Sequence, residues 1–245
     1  MSLRYKILFI TDSLAFPRAE PEFVSYEETY IAYLKHEFPD CDFIHQGRGG
    51  ATIVDLFTHT AYFHETLRAD LVFIQSGIVD CAPRALTVME QHVVSRLPVL
   101  GRLLTSLVKK YSRWLRKNRK ITYTSVDRFS AYIKKFESLF PNVYWIGILP
   151  ATGDYEAKIE GIQQNVEIYN NVLRKTQMIE TTMFKSIDIM SDHHHLNAAG
   201  HRKMYASLAA IIRKELSLKE PNDVDKRPAS TYIPAIHPAA SSDVS

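Results

Sequence analysis

Four short apolar runs, each stopping on small polar residues or glycine and each followed by a stretch of helical periodicity, restrict this chain to few architectures. The runs are Tyr5 to Ile10, Cys41 to His45, Ala69 to Gln75 and Asn142 to Ile148. Rich in Ile, Leu, Val and aromatics, they read as buried strands. Ser25 to Phe38, Thr52 to Leu67 and Ser125 to Phe140 place apolar residues three and four apart, which predicts crossover helices. Strands alternating with helices through short connections form a mainly parallel, doubly wound sheet covered on both faces. Beyond them, Glu160 to Ile179 reads as a helix and Phe184 to Met190 as a last short strand or extended segment. Ala198 to Leu216 reads as the closing helix, with Asn197 as its N-cap.

In an open α/β sheet, ligands bind outside the carboxyl ends of the strands. The first run ends there in Thr11-Asp12-Ser13-Leu14, which would set the Ser13 hydroxyl at the functional rim. Asp12 or Ser13 could equally serve only to cap the next helix. The second run ends in Gly47-Arg48-Gly49-Gly50, where glycine lets backbone N–H groups approach a ligand. The third ends in Ser76 to Arg84, and Phe16 to Pro21, with two prolines, forms a rim loop. A second polar stretch near the other end, Ser191-Asp192-His193-His194-His195-Leu196-Asn197, supplies a base and an acid to orient it.

With 245 residues, 46% of them hydrophobic and 23% charged, the chain can bury one large core, and we expect one domain over 1–217. From about Lys219 it turns rich in Pro, Ser, Ala and Asp, so 218–245 is expected to be a disordered tail. No apolar run reaches the roughly 20 residues of a membrane span, and Tyr5 to Ile10 is too short for a signal peptide and has no small-residue cleavage site after it, so a cytoplasmic location is expected. Cys41 and Cys81 form no metal or disulfide framework and read as plain buried thiols. A net charge of +3 does not demand a nucleic-acid partner. The oligomeric state is not legible.

A serine hydroxyl becomes a useful nucleophile when an imidazole takes its proton and a carboxylate holds that imidazole in the right tautomer. Ser13, His195 and Asp192 can fill those roles, because a carboxylate three residues before a histidine can reach its ring within one loop. The N–H groups of Ser13 and Gly50, at the ends of adjacent strands, can receive the developing oxyanion. The histidine run also suits zinc chemistry through Asp192, His193, His194, His195 and His201. Neighbouring residues of an extended segment point opposite ways, however, so no metal is expected. His201, four residues into the closing helix, reads as a structural hydrogen-bonding group that steadies the loop.

These blocks, above all Asp192-x-x-His195-Leu196-Asn197-x-x-Gly200-His201, resemble the SGNH or GDSL-type hydrolase family over residues 5 to about 216. The resemblance implies a three-layer flavodoxin-like sandwich and ester hydrolysis or acyl transfer without cofactor or metal. It implies Ser13 as nucleophile, His195 as base, Asp192 as its partner and Gly50 as oxyanion donor. Asp12, Gly77, Asp80 and Arg84 are candidate substrate-binding residues. Two positions depart from the family. Thr11 stands where glycine is usual, and Gly77-Ile78-Val79-Asp80 stands where Gly-x-Asn-Asp is usual, so Val79 removes a side-chain oxyanion donor. Loss of one such donor typically costs 100- to 1,000-fold in rate, roughly 3 to 4 kcal/mol. Arg84, from the same loop, could replace it or be a surface charge. The expected activity is hydrolysis of a small-acyl ester, an acetyl group on a carbohydrate. The alternatives are an O-acyltransferase of glycan biosynthesis and a non-catalytic binding protein that keeps the pocket.

One stretch stands outside this reading. Arg96 to Lys120 holds nine basic residues and no acidic one, interleaved with Leu103, Leu104, Leu107, Val108, Tyr111, Trp114 and Leu115. An amphipathic basic helix is predicted. It is either a solvated helix whose apolar stripe packs on the domain, or an attachment surface for anionic membrane lipid or a phosphate-bearing substrate.

Overall fold

The first apolar run takes a buried place. In the computed structural model, which describes residues 5–97 and 100–216, β1 (Lys6–Thr11) lies inside a five-stranded sheet. The other strands are β2 (Asp42–Gly47), β3 (Leu71–Gln75), β4 (Val143–Ile146) and β5 (Met178–Ile179). Their order is β2-β1-β3-β4-β5, and every pairing is parallel. Ile7, Leu8, Phe9 and Ile10 are wholly buried, as a strand covered by helices on both faces must be.

The helices are α1 (Tyr30–Glu37), α2 (Ile53–Leu67), α3 (Ile78–Cys81), α4 (Val88–Ser95), α5 (Leu100–Arg119), α6 (Val126–Leu139), α7 (Gly153–Lys158), α8 (Ile162–Leu173) and α9 (Ala198–Glu215). From β1 the chain steps outward to β2 and then returns past β1 to β3. Right-handed crossovers therefore put α1 on one face and α2 on the other. The closing helix α9 packs beside α1, while α2, α6 and α8 pack together, which gives three layers. Thr11 is in register with Gly47 on one side and Gln75 on the other. Three strands thus end level, and the loops after them share one rim.

Several boundaries differ from expectation. Ser25 to Phe38 is a 3-10 turn at Tyr26–Glu28 followed by α1, which is capped by Thr29. The helix expected to reach Ile179 ends at Leu173, and Met178–Ile179 pairs with Trp145–Ile146 as the edge strand. Two residues are too few for alternation to show, so pairing with β4 decides this strand. The stretch expected as the last strand contains a 3-10 turn, Ser186–Asp188. Cys41 is half-buried, while Cys81 is buried. The expected tail, 218–245, lies outside the described residues. Among those residues no helix is long and apolar enough to cross a membrane.

Candidate active site

Ser13 lies two residues beyond the last residue of β1, Thr11. Its neighbour Asp12 extends the ladder by donating its N–H to the Gln75 carbonyl at 3.0 Å, and its carboxylate accepts from the Leu14 N–H at 3.0 Å. That cap opens a single 3-10 turn, Ser13–Ala15, and leaves the Ser13 hydroxyl half-exposed at the rim.

The loop carrying Asp192 and His195 is tied at its base. Ile189 and Leu196 form an isolated bridge, Met190 N–H donates to the His195 carbonyl at 2.8 Å, and His193 turns the chain with a positive φ. Asn197 caps α9 by accepting from the Gly200 N–H at 3.0 Å, and its amide donates to the Ile187 carbonyl at 2.7 Å. Gly200 permits this contact between helix and loop, since a Cβ there would lie 2.1 Å from the Asp188 carbonyl oxygen. The Asn197-x-x-Gly200 block thereby fixes the loop to the start of α9.

The structure brings the two stretches together. Ser13 Oγ lies 2.9 Å from His195 Nε2, and His195 Nδ1 lies 2.6 Å from Asp192 Oδ2. Asp192 Oδ1 also accepts from the N–H groups of His194 and His195, each at 3.1 Å. Burial alone would raise the Asp192 carboxyl. The hydrogen bonds from the His195 ring and from these backbone groups overcome it and hold the carboxyl well below the usual range. His195 is buried, and Asp192 stays ionised beside it.

His194 stands against His195 with ring centroids 4.0 Å apart, and burial, followed by the His195 charge, pushes its pKa down. Contrary to the expectation that the run would splay apart, ligand atoms of Asp192, His194 and His195 lie within 4.8 Å of one another. His195 faces Ser13 and Asp192 with its two nitrogens. His201 is buried elsewhere. Its Nδ1 accepts the Tyr30 N–H at 3.3 Å, so it joins α9 to α1 and does not steady the loop.

Three candidate substrate contacts are corrected. Asp12 is 1% exposed, its carboxylate is turned to the Leu14 N–H, and burial pushes its pKa up to about 7. Asp80 is fully buried and accepts from Ile53 N–H and Ser76 Oγ at 3.1 Å, fastening α2 to the loop after β3. Gly77 is buried at a φ of 133°, where a Cβ would lie 2.4 Å from Ile148 Cδ1. All three sit at the rim in sequence but face the core, so none is open to a substrate.

Arg84 is placed differently. It lines a cavity of about 300 Å³ together with Ile78, Val79, Ala82, Tyr155, Lys158, Ile159, Asp192 and His194. Its guanidinium lies 4.1 Å from the centroid of the Tyr123 ring and donates to the Val79 carbonyl at 3.4 Å. Gly50 is an exposed residue at φ 67° after β2, with open space around its Cα, and a Cβ on its neighbour Gly49 would lie 4.0 Å from Ser13 Cβ.

One site residue was not anticipated. Arg18 folds back from the rim loop, and its Nη2 contacts His195 Nε2. The loop is held by a bridge between Arg18 and Val24, and the Glu22 carboxylate accepts the Ser191 N–H at 3.0 Å. The two prolines mark the loop in the sequence, but nothing local says that it returns over the histidine.

No family model matches the sequence, and no curated protein matches it. Solved structures do. A lipase/acylhydrolase from Enterococcus faecalis is similar with a TM-score of 0.61 at 16% identity, over 89% of this chain and 100% of that one. A member of the lipolytic protein G-D-S-L family from Veillonella parvula DSM 2008 is similar with a TM-score of 0.55 at 14% identity, over 86% and 99%. The acetylxylan esterase Axe2 from Geobacillus stearothermophilus is similar with a TM-score of 0.53 at 18% identity, over 89% and 98%. The fold is that of the SGNH hydrolases.

Proposed function

We propose that this chain, which has the SGNH hydrolase fold, is a serine esterase that removes a small acyl group, an acetyl ester on a carbohydrate, through an acyl-enzyme. The observation that carries the reading is the continuous relay from Ser13 through His195 to the ionised Asp192. Ser13 Oγ attacks the ester carbonyl as its proton passes to His195 Nε2, and Asp192 stabilises the imidazolium. The oxyanion is received by the N–H groups of Ser13 and Gly50. Collapse expels the sugar hydroxyl, which takes the proton from His195. Water then attacks the acyl-enzyme by the same route, with His195 as base, and releases acetate and free Ser13.

The cavity beside the relay supports a small acyl group on a polar alcohol, because its walls mix Ile78, Val79 and Ala82 with Arg84, Tyr155 and Lys158. The acetylxylan esterase among the similar structures supports the same substrate class. The test is acetate release from an acetylated oligosaccharide and from an aryl acetate. Both should disappear in Ser13→Ala while the melting temperature stays nearly unchanged. Turnover that survives in that variant would overturn the acyl-enzyme reading.

A further inference from the structure

Helix α5 turns the usual arrangement of a surface helix outward. At 3.6 residues per turn its eight large apolar side chains, from Leu100 to Leu115, fall within about 140° of arc, and all seven of its basic residues lie outside that arc. A helix of this kind ordinarily buries the apolar face. Here the only α5 residue that is buried is Gly101, which packs against the Val94 carbonyl of α4. Leu103 and Trp114 are about 60% exposed, and Leu100, Leu107 and Tyr111 are exposed with them. It is the polar side that ties α5 to the domain. Arg113 and Lys117 pair with Glu160, Arg119 pairs with Glu90, and Arg116 and Arg119 donate to the carbonyls of Lys158 and Ala85. The expectation that a packed helix would hide its stripe is therefore reversed.

We infer that the apolar face of α5 docks on a bilayer of anionic lipid. A 20-residue helix with Leu, Tyr and Trp on one face and Lys and Arg on the other has the composition of helices that lie in the plane of a membrane interface. Charge selects the occupant. Between Thr87 and Lys120 there are nine basic residues and one acidic residue, Glu90, so a second copy laid on the same face would bring two strongly positive helices together. Anionic headgroups instead complement Lys110, which borders the apolar arc, while Leu103, Leu107 and Trp114 enter the acyl boundary. The polar side of α5 adjoins the cavity lined by Arg84, since Arg119 donates to Ala85 beside Arg84 and Arg116 to Lys158. The inference goes beyond the esterase reading and does not depend on it.

The two tryptophans make the test direct, because Trp145 is fully buried and Trp114 is exposed. The full chain and its Ser13→Ala variant are mixed with vesicles of phosphatidylcholine alone or with added phosphatidylserine, at low and at high salt. Sedimentation and tryptophan emission are then read. Both proteins should sediment with the anionic vesicles at low salt, with emission shifted to shorter wavelength, and should be released by high salt. The double variant Leu103→Ser/Leu107→Ser keeps the Trp114 reporter and should bind at least about tenfold more weakly, with unchanged melting temperature. The inference is overturned if the parent ignores anionic vesicles at low salt, or if the double variant binds like the parent. It is equally overturned if Trp114 is already shielded without lipid in a concentration-dependent dimer.

Discussion

Arg18 and Ser13 approach the same atom, Nε2 of His195. Ser13 Oγ lies 2.9 Å from it and Arg18 Nη2 is in contact with it. The Asp192 carboxylate at 2.6 Å assigns the ring proton to Nδ1, which leaves Nε2 one lone pair for two donors. Arg18 Nε is itself buried without a hydrogen-bond partner. The guanidinium thus competes with the serine hydroxyl for His195 Nε2.

Removing that competitor should release the base. Arg18→Ala is expected to raise kcat/KM for a neutral aryl acetate by about threefold or more, as expected when a donor that holds the ground state is lost. The measurement is steady-state hydrolysis at fixed pH. A loss of tenfold or more would instead make Arg18 a group that stabilises the oxyanion or positions the substrate.

Val79 lines the cavity at the position where the SGNH family that the sequence resembles usually has asparagine, and its side chain offers no donor. Val79→Asn should raise kcat by about tenfold or more, within the range that one oxyanion donor supplies, with little change in KM. An unchanged or lower kcat, with melting temperature preserved, would show that the oxyanion is already satisfied from elsewhere.

Much of this site is legible in the sequence because its geometry is local. Asp192 reaches His195 within one turn of loop, Asn197 caps the helix that follows, and Ser13 inherits its place from the strand before it. Asp12 and Asp80 were misjudged because sequence places them at the rim but does not say which way a side chain turns. Packing sends one to the Leu14 N–H and the other to the start of α2. Arg18 needs a loop closure, and β5 needs a partner strand. The face of α5 is readable from its periodicity, but its outward direction depends on Glu90 of α4 and on Glu160 in the turn before α8.

Burial of Asp12 should be visible in stability. Its pKa is raised to about 7 by burial, so between about pH 4 and 7 the folded chain holds a proton that the unfolded chain has released. Stability from this group is therefore lost as pH rises through that range, by up to about 1.4 kcal/mol per pH unit for a whole proton. Asp80, raised to about 6 by burial, acts in the same sense. His45 and His201, pushed down to about 4 by burial, act in the opposite sense. The parent profile mixes these four with His194, also pushed down by burial, and comparison with Asp12→Asn isolates one, since asparagine can still accept the Leu14 N–H. In urea unfolding, the variant should gain stability relative to the parent between about pH 4.5 and 7.5. A difference that is flat or falls with pH would mean that Asp12 is ionised in the fold.

The central claim is that Ser13 is a nucleophile activated by His195. It is tested most directly by treating the protein with a fluorophosphonate and locating the adduct by peptide mass spectrometry. The account predicts a single adduct on Ser13, absent in Ser13→Ala and slowed by several orders of magnitude in His195→Ala. An intact protein that takes no label at Ser13, or takes it as fast without His195, would contradict it.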